Sequence, residues 1–193
     1  MKSIAISGSA RQNVGKRDAK QLRYEGKVPC VLYGGEEQYH FSASAADLRD
    51  LIYTPEAMLV DLDIEGKKFR ASMKDIQFHP VSDQVLHVDF LQLFDDKPVK
   101  IDIPVKISGV SPGVRAGGKL LQSFRKLKVK GLPKDLIDFI EVDISSLEVG
   151  DSIRVEDIKL ENLEVLNSPS DTVVKVDQSR ATRSAAQAEA AEG

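Results

Sequence analysis

Tryptophan is absent from this 193-residue chain, cysteine occurs once and histidine three times. The single thiol, Cys30, rules out an internal disulfide and any zinc site built on several cysteines. The histidines, His40, His79 and His87, leave a metal centre short of ligands, because about three or four are needed and no persuasive further set lies near them. No run approaches the ~20 apolar residues of a transmembrane helix. The N-terminus lacks the apolar stretch of a signal peptide. The expectation is a cytoplasmic protein without membrane contact.

Catalytic motifs are missing as well. Gly8 to Lys16 has the look of a phosphate-binding loop, but six residues separate Gly8 from Gly15 and Arg17 follows the lysine. The nucleotide-hydrolase loop has four residues at that spacing and then Ser or Thr. Gly113, Gly117 and Gly118 belong to no strand-turn-helix fingerprint, and the expectation is that they supply positive backbone dihedrals in loops. No nucleophile or carboxylate pair has motif context. The chain reads as a non-enzyme without cofactor or metal.

What is present is enough to fold: 41% of residues are hydrophobic and 30% charged. Charge is uneven. The whole carries a formal net charge of -3, yet its first thirty-five residues hold seven Lys and Arg against two acids. A helix over Gly15 to Lys27 would set Lys16, Lys20, Arg23 and Lys27 on one face and turn Ala19 and Leu22 toward a core. A solvated helix face is the plain explanation of such a run; an anionic partner is the functional one.

Period-two alternation dominates elsewhere. Val28 to Tyr33 is an apolar strand ending at Gly34-Gly35. Met58, Val60, Leu62 and Ile64 line one strand face, Glu65-Gly66 makes a turn, and Phe69, Ala71 and Met73 line the next strand. Ser44 opens a short helix carrying Leu48, Leu51 and Ile52 at helical spacing. Residues 1–94 are read as one domain, ending at the polar break Asp95-Asp96-Lys97-Pro98, and residues 95–178 as a second, mostly β domain with short strands between turns. Residues 179–193 contain no apolar side chain larger than Ala and are read as a disordered Ala-rich tail.

In the strand read from Val85 to Phe94, His87 and Asp89 share a face opposite Leu86, Val88 and Phe90. RNA binding calls for phosphate-contacting cations, an aromatic or polar group at a base or sugar, and an acceptor for base-edge donors. Arg11, Lys16, Lys20 and Arg23 are candidates for the first, Tyr33 for the second, and His87 with Asp89 for the readers. An ordinary strand tyrosine and an exposed polar couple are the plain alternatives.

The ordered set G15-K, L22-R-Y-E-G-K-V-P-C-V-L-Y-G-G35, D75-I-Q-F-H-P80 and L86-H-V-D-F90 resembles the bacterial large-subunit ribosomal protein family that binds 5S rRNA. G113-V-R-A-G-G118, I140-E-V-D-I-S-S-L147 and G150-D-S-I-R-V-E-D-I158 resemble the extra domain of its long form, the general stress protein Ctc type. The resemblance spans about residues 3 to 176. It implies a mainly β fold with short helices: a partly closed N-terminal β-barrel that docks on the loop E region of 5S rRNA, then a second mostly β domain. It also implies a ribosome-bound monomer whose RNA contacts include Arg11, Lys16, Arg23, Tyr33, His87 and Asp89. Lys20-Gln21 stands where some members carry a basic pair. Arg115, Lys119, Arg125, Lys126, Lys128 and Lys130, six cations with no intervening acid, mark the expected contact of the second domain with neighbouring ribosomal RNA or protein. The competing reading is a stress-related protein-binding module with incidental RNA affinity.

Overall fold

The computed structural model describes residues 1–178, so the expected tail at 179–193 lies outside the described residues. The described chain forms two compact units: Met1–Ile101 with Gly131–Asp138, and Asp102–Lys130 with the described residues from Phe139. The first runs β1 (Ser3–Ala10), α1 (Lys16–Tyr24), β2 (Lys27–Tyr33), β3 (Tyr39–Ser44), α2 (Ala45–Tyr53), β4 (Leu59–Ile64), β5 (Lys67–Phe78) and β6 (Val85–Gln92). Its six strands form a barrel in the order β1-β3-β2-β6-β5-β4, and the ring closes fully because β1 pairs with β4 in parallel. A second parallel pairing joins β2 to β6, and the remaining neighbours are antiparallel.

Alternation along each strand fills the barrel. Ile6, Cys30, Leu32, Phe41, Val60, Leu62, Val88 and Phe90 are all sealed from solvent. Phe41 and Phe90 meet with ring centroids 5.8 Å apart, within the range where tilted aromatic pairs attract beyond their buried area. The β4–β5 hairpin turns at Glu65 and Gly66, whose φ values of 51° and 87° are the two positive angles of the tightest hairpin turn. The Asp63 carboxylate accepts the Gly66 N–H at 2.8 Å. The Ser44 hydroxyl accepts the Ala46 N–H and starts α2, which buries Leu48 and Leu51.

Helix α1 is shorter than its charge spacing predicts. Gly26 adopts φ +75° and its N–H bonds the Arg23 carbonyl, so the helix stops at Tyr24 and Lys27 opens β2. The expected four-cation face therefore loses Lys27. Ala19 and Leu22 are half-buried, and no residue of α1 is fully buried.

The second unit holds most of β7 (Val99–Ser108), α3 (Pro112–Arg115), β8 (Lys119–Gln122), β9 (Lys126–Gly131), β10 (Ile140–Asp143), β11 (Ser152–Arg154), β12 (Glu164–Val165) and β13 (Thr172–Asp177). They form a four-stranded sheet, β10-β7-β9-β12, and a three-stranded one, β11-β13-β8. Ser111 accepts the Val114 N–H to cap α3 and donates its hydroxyl to the Leu147 carbonyl at 2.5 Å. The glycines here depart from expectation. Only Gly117 of the three has positive φ, at 91°. Gly113 is needed for close approach instead, since a Cβ there would sit 2.6 Å from the Glu148 carbonyl carbon.

Two predictions follow from the barrel interior. A Cβ at Gly8 would lie 2.5 Å from Cδ2 of the buried Phe41 ring. Gly8→Ala is expected to cost about 1 to 3 kcal/mol by overpacking, seen as a lower urea midpoint at unchanged m-value. Burial pushes the Cys30 thiol up from an ordinary 9.0 to about 12. A raised acid leaves stability constant below pH 9 and loses it as pH climbs from 9 toward 12, because the unfolded thiol ionises first. Cys30→Ala is expected to flatten that part of the alkaline stability curve, and native Cys30 to resist a thiol reagent at pH 8 until the chain unfolds.

Candidate nucleic-acid interface

The parallel register of β2 on β6 places Cys30 beside Val88, Val31 beside Asp89, Leu32 beside Phe90 and Tyr33 beside Leu91. Cys30, Val88, Leu32 and Phe90 point inward, so Val31, Tyr33, His87, Asp89 and Leu91 share the outer face. His87 Nδ1 lies 2.7 Å from Asp89 Oδ1, with both side chains about a third exposed. A carboxylate only accepts, so the shared proton sits on Nδ1 and a neutral His87 keeps Nε2 as an acceptor. Asp89 thereby fixes the tautomer and orientation of the ring.

Tyr33 adds a donor to this face. Partial burial, then the charges of Asp89 and Asp75, raise its phenol above the ordinary value and keep it protonated as a donor. Two residues that sequence reasoning missed complete the surface: Asp75 pairs across from Asp89, and Gln77 from His87. They escaped because β5 carries irregular register between Met73 and Asp75 and again between Gln77 and Phe78, which breaks the period-two signal. Only the strand pairing shows which face they occupy.

The expected cations divide into two kinds. The Arg11 side chain is nearly buried and forks onto Asp18 Oδ2, from Nη2 at 2.7 Å and Nε at 3.2 Å. Its Nη2 also donates to the Asn13 carbonyl. Arg23 is half-buried and donates from Nη1 to the Leu86 carbonyl at 3.1 Å, one residue before His87. These two arginines tie α1 and the segment before it to its surroundings. Lys16 and Lys20 are exposed, as is Arg17, which sequence reasoning left out. Lys20 Nζ sits 5.8 Å from the ring centroid of the exposed Tyr24. At the N-terminus of α1, Gly15 provides no capping side chain, so the first-turn N–H groups add positive potential next to Lys16. The structure thus sets Tyr33, His87 and Asp89 on one outer face and ties Arg23 to the carbonyl just before His87, with α1 in contact with β2.

In the second unit, Lys126, Lys128 and Lys130 alternate along β9 with the buried Leu127 and Val129. Lys130 is tied to Glu164 at 3.3 Å. Arg125 precedes β9 and is exposed. Arg115 ends α3 and Lys119 begins β8, in the other sheet, where Lys119 faces Asp177 in register. The six residues that run together in sequence are divided among a helix end, a loop and two sheets: Arg115 in α3, Arg125 before β9, Lys119 in one sheet and Lys126, Lys128 and Lys130 in the other.

Residues 6–90 match the Ribosomal L25p family, and residues 98–180 match the C-terminal domain of ribosomal protein TL5. Similar chains include "Large ribosomal subunit protein bL25" of Amoebophilus asiaticus, 50% identical over 96% of this chain and 95% of the relative. The protein of that name from Cytophaga hutchinsonii is 50% identical over 91% and 92% of the two chains. The one from Bacteroides fragilis is 45% identical over 97% and 98%.

The two kinds of cation separate by stability. Arg11→Ala leaves Asp18 to water and is expected to cost about 1.5 kcal/mol, the lower end of the range for hydrogen bonds to charged groups because Asp18 is partly exposed. Lys16→Ala is expected to change stability by no more than about 0.5 kcal/mol. Thermal unfolding of the two variants side by side checks this; equal melting temperatures would show that the Arg11 fork has no structural weight.

Proposed function

Because the chain belongs to the bL25 family of bacterial large-subunit ribosomal proteins, in its long form with a TL5-type second domain, we propose that its barrel binds 5S rRNA at the loop E region. The family is one of ribosomal structural proteins, not enzymes. The observation that supports the finer reading most is the convergence of Tyr33, His87 and Asp89 on one outer barrel face beside α1 and its exposed lysines. In this reading Lys16 and Lys20 neutralise phosphates and supply a salt-dependent share of the affinity. Arg23 orients α1 against β6 and offers its remaining N–H groups to the RNA backbone. His87 and Tyr33 reach into a distorted groove, where the oriented imidazole accepts and the phenol donates. Asp89 holds the imidazole and competes for base amino groups.

Residues 1–94 carry this recognition and residues 95–178 form the second domain. Its exposed lysines on β9, with Arg125 nearby in sequence, contact neighbouring ribosomal RNA or protein. The protein acts as a monomer on cytoplasmic ribosomes.

A carboxylate near phosphates is repelled, so charge alone predicts that Asp89→Asn tightens RNA binding. The reader role predicts the reverse: a loss of about 1 to 3 kcal/mol on 5S rRNA with little change on a loop E-altered 5S rRNA. A salt-controlled titration of the intact chain against both RNAs decides. Tighter binding of the variant to both would remove Asp89 from recognition. Equal, weak and salt-sensitive binding of the unaltered chain to both would reduce the basic face to an electrostatic patch and favour a protein partner.

A further inference from the structure

A cleft of about 450 Å³ opens where β2 and β6 begin, apart from the His87–Asp89 face. One wall is α2, which presents Arg49, Ile52 and Tyr53 at helical spacing. The turn Ser82–Gln84 lines it too, and the half-buried Ile52 and Val85 contribute apolar surface, over the buried Val28. That turn is held in shape by His79. Its N–H donates to the Gln84 carbonyl at 2.8 Å, its carbonyl accepts the Asp83 N–H at 3.0 Å, and its Nδ1 accepts the Val81 and Ser82 N–H groups. The cleft is therefore preformed, and its size is that of a small-molecule or single-residue site.

Three cations line it, Arg23, Lys27 and Arg49, against one carboxylate, Asp83. Lys27 and Arg49 enter no ion pair among the described residues. Tyr53 is 64% exposed at its rim and stands outside the barrel's core cluster. Cationic groups beside an apolar slot with a free aromatic ring complement a planar base with its phosphate. An acidic peptide fits less well: every barrel strand already has two neighbours, which excludes strand addition, and carboxylate side chains would use the cations while leaving the apolar slot and the Tyr53 ring without a planar partner.

We infer that this cleft takes one unpaired nucleotide of the bound RNA, its base over Ile52 and Val85 against Tyr53 and its phosphate on Lys27 and Arg49. The inference rests on the RNA-binding reading, since Arg23 belongs to both surfaces and carries the backbone from one to the other.

The intact ¹⁵N-labelled chain titrated with pentauridylate tests it, with 5S rRNA affinity measured in parallel. Amide shifts are expected to concentrate at residues 26–28, 49–53 and 82–85. Tyr53→Leu, which keeps the charge, is expected to weaken pentauridylate by about tenfold, the scale of one stacked base. Lys27→Ala with Arg49→Ala is expected to weaken it further, while Lys68→Ala with Arg70→Ala, an equal charge loss on β5, leaves cleft binding in place. Equal losses in the two double variants, an unaffected Tyr53→Leu, or pentaglutamate producing the same shifts would overturn the cleft. Normal 5S rRNA binding with no pentauridylate at these residues overturns the cleft alone. Failure of the unaltered chain to bind 5S rRNA overturns the reading beneath it.

Discussion

The parallel pairing of β2 with β6 is the constraint on which the rest depends. It places two strands far apart in sequence side by side, completes a ring whose other pairings are mostly hairpin-like, and sets one register for two surfaces at once. Side chains alternate across a strand, so sealing Cys30, Leu32, Val88 and Phe90 inside obliges Val31, Tyr33, His87 and Asp89 to stand outside. A slip of one residue would bury the imidazole and its carboxylate and expose Phe90. The core and the candidate interface are therefore two readings of a single register, and hydrophobic burial inside pre-pays the orientation of the polar groups outside.

Closure also removes the open edges through which an isolated sheet would pair with other chains. A barrel of this kind meets a partner through its outer faces and through what is mounted on them. Here the mounted parts are α1, carrying Lys16, Arg17 and Lys20, and α2, carrying Arg49 and Tyr53. Both meet at the start of β2, one by Gly26, whose left-handed backbone stops α1, and the other by the Gly26 carbonyl, which accepts the Ala45 N–H. Two residues of turn thus separate a cationic helix from the strand that carries Tyr33.

Electrostatics on this chain is local. A net charge of -3 says little about an anionic partner when Arg11 and Arg23 are spent on internal bonds and Lys16 and Lys20 stand free. Buried or half-buried arginines act through fixed forks, which orient segments, while exposed lysines act as screened point charges. The same division recurs in the second unit, where Lys130 is paired with Glu164 and Lys126 and Lys128 are exposed.

Much was legible before any fold was seen. Alternation named the β4–β5 hairpin and its Glu65-Gly66 turn, the Ser44 cap named α2, and the two-residue spacing of His87 and Asp89 placed them together on the face opposite Val88 and Phe90. These are short-range facts: a strand repeats every two residues and a helix about every four, so a few neighbours suffice to read them. The end of α1 was misjudged because Gly26 outweighs charge spacing, and Asp75 and Gln77 were missed because bulged register hides the period. The sequence by itself determined which residues alternate, turn and cap, and which carry charge. Tertiary structure alone decided that Tyr33 shares an outer face with His87 and Asp89, that Arg11 and Arg23 are engaged, and that one run of six cations is split, with Lys119 in one sheet and Lys126, Lys128 and Lys130 in another. Pairing between distant segments is settled by the whole buried interior at once, and no local window contains that sum.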